Sequence, residues 1–75
     1  MNISERLRRA RKRARLTLQD AASAVGVDRV TIGNWEAGRY SPKAEYLVDL
    51  ARAYGVRVES FFAPKLNRVG VATRG

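Results

Sequence analysis

The chain contains no cysteine and no histidine. The first absence excludes disulfides and thiolate metal sites. The second removes the commonest metal ligand and the commonest general base. Acidic residues are also scarce, with seven Asp and Glu against fifteen Lys and Arg, which leaves a net charge of +8. The carboxylates are scattered and no Gly-rich phosphate loop is present, so catalysis has no foothold. No enzymatic activity, no metal and no cofactor are expected. Apolar runs are short, so nothing in the sequence can span a bilayer. The N-terminus reads Met-Asn-Ile followed by charged residues, without an apolar signal core. A cytoplasmic protein is expected.

What is present is a short, strongly basic chain. Its 75 residues make one domain and not two. A core of that size is thin, and without disulfides or metals dimerisation is the remaining way to reinforce it. A charge of +8 on so small a chain points to a polyanionic partner: DNA, RNA or an anionic membrane surface.

Hydrophobic spacing divides the chain into helices. Helix one is expected from about Ser4, its N-cap, to Ala14, with Ile3, Leu7, Ala10 and Ala14 as a narrow apolar stripe. The rest of that cylinder is cationic. The stripe is mostly alanine and lacks aromatics, which argues against a membrane-surface helix. Thr17 caps a second helix, Leu18 to Val25, with Asp20 placed near its positive end. Gly26 stops it in left-handed conformation. Asp28 caps a third helix, Arg29 to Ala37, ended by Gly38. So tight a connection between helices two and three is a helix-turn-helix signature. Ser41-Pro42 opens a fourth helix that runs to about Tyr54, with Leu47, Leu50, Ala51 and Tyr54 facing inward. Glu59 to Phe62 can add one short helical turn. No strand is expected. The division is an ordered domain over 1–63 and a flexible tail or linker over 64–75.

The run Leu16-Thr17-Leu18-Gln19-Asp20-Ala21-Ala22, then Val25-Gly26-Val27-Asp28-Arg29, then Ile32-Gly33-Asn34-Trp35-Glu36-Ala37-Gly38 and Pro42 resembles the Cro/C1-type (XRE) helix-turn-helix family. That family includes lambdoid phage repressors, restriction-modification controller proteins and many antitoxins. The resemblance covers roughly residues 3 to 63. It implies an all-α, compact five-helix lambda-repressor-like domain that places its third helix in the DNA major groove. It also implies a structural ion pair between Arg11 and Glu36. Three positions depart from the family pattern. Arg15 stands where Gly commonly ends helix one, and at positive φ it would carry strain. Ala21 stands where Leu is frequent. Gly33 interrupts the recognition helix, at a cost of roughly 1 kcal/mol relative to Ala.

Recognition of DNA requires phosphate contacts that position the protein and base-edge contacts that specify the site. Ile32 and Trp35 share the buried face of helix three, which leaves Arg29, Val30, Gly33 and Asn34 to read bases. Arg29 can donate two hydrogen bonds to one guanine, Val30 can touch a thymine methyl, and Asn34 can pair with adenine or reach a phosphate. Thr17, Gln19 and Thr31 are phosphate-contact candidates at helix N-termini. Arg39, Tyr40 and Lys43 flank the recognition helix and are further candidates. Arg8 and Lys12 read as solvated charge that adds only long-range attraction. Val56, Val58, Phe61 and Phe62 form a candidate dimer surface, with one of the two Phe residues closing the core instead.

The expected function is a sequence-specific, double-stranded DNA-binding repressor or autoregulator. It would act as a homodimer on a palindromic operator, with half-sites roughly one helical turn (~34 Å) apart. Two further partners are considered: a toxin protein, if the chain is an antitoxin, and a fused metallopeptidase-like sensor domain after Phe61-Phe62-Ala63-Pro64. An RNA- or membrane-binding scaffold would need exposed aromatic stacking groups or an aromatic belt, neither of which is expected here.

Overall fold

The computed structural model describes residues 2–62; the tail expected over 64–75 lies outside the described residues. Four α-helices follow in order: α1 (Ile3–Arg13), α2 (Leu18–Val25), α3 (Arg29–Ala37) and α4 (Ala44–Tyr54). A 3-10 turn over Val58–Phe61 comes next. The described residues contain no strand. Among them no helix is long and apolar enough to cross a membrane.

α1, α2 and α3 each begin where a side chain accepts an orphan N–H. α1 starts earlier than expected because Asn2, not Ser4, is the cap. The Asn2 side chain accepts from the Glu5 amide at 3.0 Å, and the Ser4 hydroxyl donates to the same oxygen at 2.6 Å. On α2 the Thr17 hydroxyl accepts from the Asp20 amide while the Asp20 carboxylate accepts from the Thr17 amide, a complete capping box. α4 starts later than expected, at Ala44, with Lys43 as a cap that makes no side-chain bond. Pro42 is buried and serves the packing of the approach segment rather than the first helical turn.

Among the described residues no fifth α-helix forms. The expected turn is a four-residue 3-10 element closed by i to i+3 bonds, with Ser60 N–H donating to Arg57 at 2.9 Å and Phe62 N–H to Glu59 at 3.0 Å. Its packing role is to carry Phe61 into the core, where the ring is fully buried and meets Tyr54 edge-on at 6.5 Å. Phe61 therefore cannot be part of a dimer surface. Val56 and Val58 are half-buried against the same core, and Phe62 alone of the four is exposed.

The core comprises Leu7 of α1, Ala21 and Ala22 of α2, Ile32 and Trp35 of α3, Leu47, Leu50, Ala51 and Tyr54 of α4, and Phe61. Ala21 and Ala22 are both fully buried. Their small side chains let α2 sit close against α3 and α4, which answers the missing leucine at position 21. Trp35 is further enclosed by Tyr46 of α4, with ring centroids 5.3 Å apart. Arg15, after α1, takes φ +63°, the left-handed conformation that a glycine adopts without strain.

Candidate nucleic-acid interface

The α2–turn–α3 unit is fixed at three points. Gly26 adopts φ +85°, and the amides of Gly26 and Val27 both donate to the Ala22 carbonyl, at 2.8 and 3.0 Å. Val27 is half-buried against the core and pins the turn. Asp28 then caps α3: its carboxylate accepts from the Thr31 amide and the Thr31 hydroxyl, each at 2.9 Å. These bonds, the backbone one foremost, hold the Asp28 pKa below the usual carboxylate value. The acidic charge beside the candidate interface is thus directed at its own helix. The same bonds commit both the N–H and the O–H of Thr31, so as placed it offers no donor to a phosphate. A phosphate contact from Thr31 would require its hydroxyl to leave Asp28.

α3 buries Ile32 and Trp35 and turns the opposite face outward. Arg29 and Val30 are exposed at its leading end, and Val30 is a large apolar side chain left 64% open. Gly33 and Asn34 follow on the same side, half-buried. Ala37, seven residues after Val30, is also exposed and completes this face. It was not singled out from the sequence, although the i, i+7 spacing contains it. The outer face carries little relief at its centre, with larger polar groups at Arg29 and Asn34.

The far end of α3 is held by a left-handed Gly38, after which the Arg39 amide donates back to the Asn34 carbonyl at 3.0 Å. That reversal returns the Arg39 side chain to the helix, where Nη1 donates to Asn34 Oδ1 at 3.2 Å. Arg39, Tyr40 and Lys43 are all exposed along the segment that leaves α3. Thr17 and Gln19 are exposed at the start of α2, and Gln19 donates to the Ser23 hydroxyl at 3.2 Å.

Behind this face lies a charged anchor. Arg11 Nε donates to Glu36 Oε2 at 2.7 Å and Arg11 Nη2 to Glu36 Oε1 at 3.0 Å, a two-pronged pair whose side chains are only 10% and 7% exposed. A third donor, Nη1, reaches the Leu16 carbonyl at 2.8 Å. One guanidinium thereby ties α1, the α1–α2 loop and α3 together. The hydrogen bond to Glu36 raises the Arg11 pKa against the opposing effect of burial. Nearby, burial and then the Glu36 charge push the Tyr54 hydroxyl up to about 12, and that hydroxyl has no hydrogen-bond partner among the described residues.

Arg8 and Lys12, read as solvated charge, are exposed and line a groove of about 600 Å3 with Thr17, Gly33, Glu36 and Ala37. Their charge lies beside the outer face of α3. Among the described residues no group of three or more acidic side chains could hold a metal.

Residues 3–60 match the family model described as a helix-turn-helix domain. The chain is 38% identical over 55 residues to the uncharacterized HTH-type transcriptional regulator YobD of Bacillus subtilis, a match that covers 73% of this chain and 49% of that protein. It is 34% identical over 71 residues to multiprotein-bridging factor 1 of Debaryomyces hansenii, covering 87% of this chain and 47% of the relative. The chain thus spans about half the length of both relatives. Among solved structures, the fold is similar to the P22 c2 repressor protein crystallised in complex with a synthetic operator. That likeness has a TM-score of 0.77 at 27% identity and covers 83% of this chain and 94% of the repressor chain.

Proposed function

Because the chain belongs to the helix-turn-helix domain family, we propose that it is a sequence-specific, double-stranded DNA-binding transcription regulator, a repressor or autoregulator without catalytic activity. The observation that carries this reading is the outer face of α3: Arg29 and Val30 stand exposed at the leading end of a short helix whose other face is locked into the core by Ile32 and Trp35. A rigid helix with a guanidinium and a methyl-bearing side chain at its tip matches the acceptor pair of guanine and the methyl of thymine. The likeness to a repressor crystallised on operator DNA supports the same reading.

In this proposal α3 enters the major groove, and Arg29, Val30, Gly33 and Asn34 face the bases. Thr17, Gln19, Arg39, Tyr40 and Lys43 meet the sugar-phosphate backbone on either side, with Arg8 and Lys12 added from α1. The DNA-binding domain occupies residues 1–63 of a cytoplasmic protein. One copy of α3 reads few base pairs, so the active form is a homodimer on a palindrome. Its contact includes Phe62, which is 48% exposed. A second reading is favoured by coverage: because the chain spans about half of two of its relatives, it can serve as the DNA-reading half of a longer regulator.

The test is selection from a random pool of duplex DNA. Enrichment of a palindrome with half-sites roughly one helical turn (~34 Å) apart is the expected result. Failure to enrich any sequence over the starting pool would refute the proposal.

A further inference from the structure

We infer that Arg39 is a positioning residue for base reading: by holding the amide oxygen of Asn34, it makes this end of the α3 face select guanine over adenine at one base pair of each half-site. The inference rests on the reading of α3 as a major-groove helix and specifies what that helix recognises.

The starting point is a hydrogen bond whose direction is unambiguous. A guanidinium carries only donors. The Asn34 atom that meets Arg39 Nη1 at 3.2 Å must therefore be the amide oxygen, and the amide nitrogen must point elsewhere. The bond is also built in by the backbone. Gly38 turns the chain back in left-handed conformation, and the Arg39 amide bonds the Asn34 carbonyl at 3.0 Å. Arg39 and Asn34 are consequently paired at both main chain and side chain, at the place where the chain leaves α3.

An unconstrained Asn recognises adenine with both halves of its amide: the oxygen accepts from N6 and the nitrogen donates to N7. In this chain the oxygen already faces a cation. It retains a second lone pair, but an amino group approaching it would bring a positive dipole up to the guanidinium. What the pair offers instead is the Asn34 amide nitrogen, whose two N–H donors are left free by the bond to Arg39. The matching edge is one with two adjacent acceptors, which guanine provides at O6 and N7 and adenine does not. The guanidinium can still meet a phosphate through its remaining N–H groups, so its positioning role adds to the backbone contact proposed above.

The experiment compares the wild type with Arg39→Met, Asn34→Ala and the double variant. Each is titrated against duplexes that carry the selected operator with all four bases at every half-site position. Arg39→Met keeps the length of an exposed side chain and removes its donors. At one position the wild type should bind the guanine form more tightly than the adenine form. Arg39→Met should move that ratio about tenfold toward adenine. Asn34→Ala should abolish the preference there, and the double variant should match Asn34→Ala at that position. If Arg39→Met weakens all operators by one common factor, Arg39 is a phosphate contact alone and the inference is overturned. If the wild type shows no sequence preference at all, the regulator reading fails first and the inference with it.

Discussion

A methyl group built on Gly33 meets no atom within 4 Å beyond its chain neighbours and the backbone of its own helix, so internal packing does not call for glycine at that position. Glycine within a helix costs about 1 kcal/mol relative to alanine. Gly33→Ala should therefore raise the melting temperature. On DNA the added methyl would occupy space between α3 and the base edges, and operator affinity should fall several-fold. Thermal unfolding and operator titration on the same variant check both halves. A variant that is more stable and binds equally well would mean that Gly33 does not approach DNA closely. Asp28 shows the opposite balance, a residue whose carboxylate is turned to its own helix. Its carboxylate is stabilised by the Thr31 amide and hydroxyl, and its pKa lies below the ordinary value of 3.8. A carboxylate with a lowered folded pKa adds stability that is complete above the unfolded value and is lost as pH falls through the folded one. Asp20, lowered by its bonds to Thr17, acts in the same direction. Stability should thus fall as pH drops below about 4. Asp28→Asn keeps an accepting oxygen and should flatten the part of the acid limb due to this residue. An unchanged acid limb, followed by denaturant unfolding across that range, would count against the cap.

Between elements, the Arg11–Glu36 pair decides how firmly α3 is held to α1. Both side chains are nearly enclosed, so removing one partner leaves the other as an unpaired buried charge, at a cost of about 3 kcal/mol. Arg11→Ala and Glu36→Ala should each lower the melting temperature, and the double variant should be less destabilised than the two singles combined. Strict additivity in a double-mutant cycle would show that the two charges do not interact. Elements of this kind were legible in the sequence to the extent that local chemistry fixes them. Thr17, Asp28 and the Gly26 turn each act within a few residues, and the bounds of α2 and α3 follow from them. The bounds of α1 and α4 were less legible because Ser4 and Ser41, the residues read as opening them, do not cap these helices. Asn2 takes the place of Ser4 as a cap, and Pro42 is buried ahead of α4 rather than in its first turn. Phe61 and Phe62 are neighbours of one type, and only the geometry of the 3-10 turn decides which is buried. The Arg39–Asn34 bond was invisible for a similar reason. It depends on the direction in which the chain leaves Gly38, which composition and spacing do not encode.

For the whole molecule, a net charge of +8 supplies attraction to any duplex, and the account stands or falls on whether α3 adds sequence preference to that attraction. The cations are distributed for both tasks. Arg8 and Lys12 from α1 line a groove beside α3, Lys43 is exposed before α4, and Arg29 is exposed at the leading end of α3. Phosphate contacts weaken with salt irrespective of sequence, whereas a base contact discriminates between operators at any one salt concentration. The most direct measurement is therefore the affinity of wild type and Arg29→Ala for the selected operator and for unrelated duplex DNA, at one fixed ionic strength. The account predicts that Arg29→Ala loses about 1–3 kcal/mol on the operator and far less on unrelated DNA, with preference relaxed at a single base pair in each half-site. Equal loss on both DNAs would contradict it, because Arg29 would then be a phosphate contact and α3 would not read the groove through its leading residue.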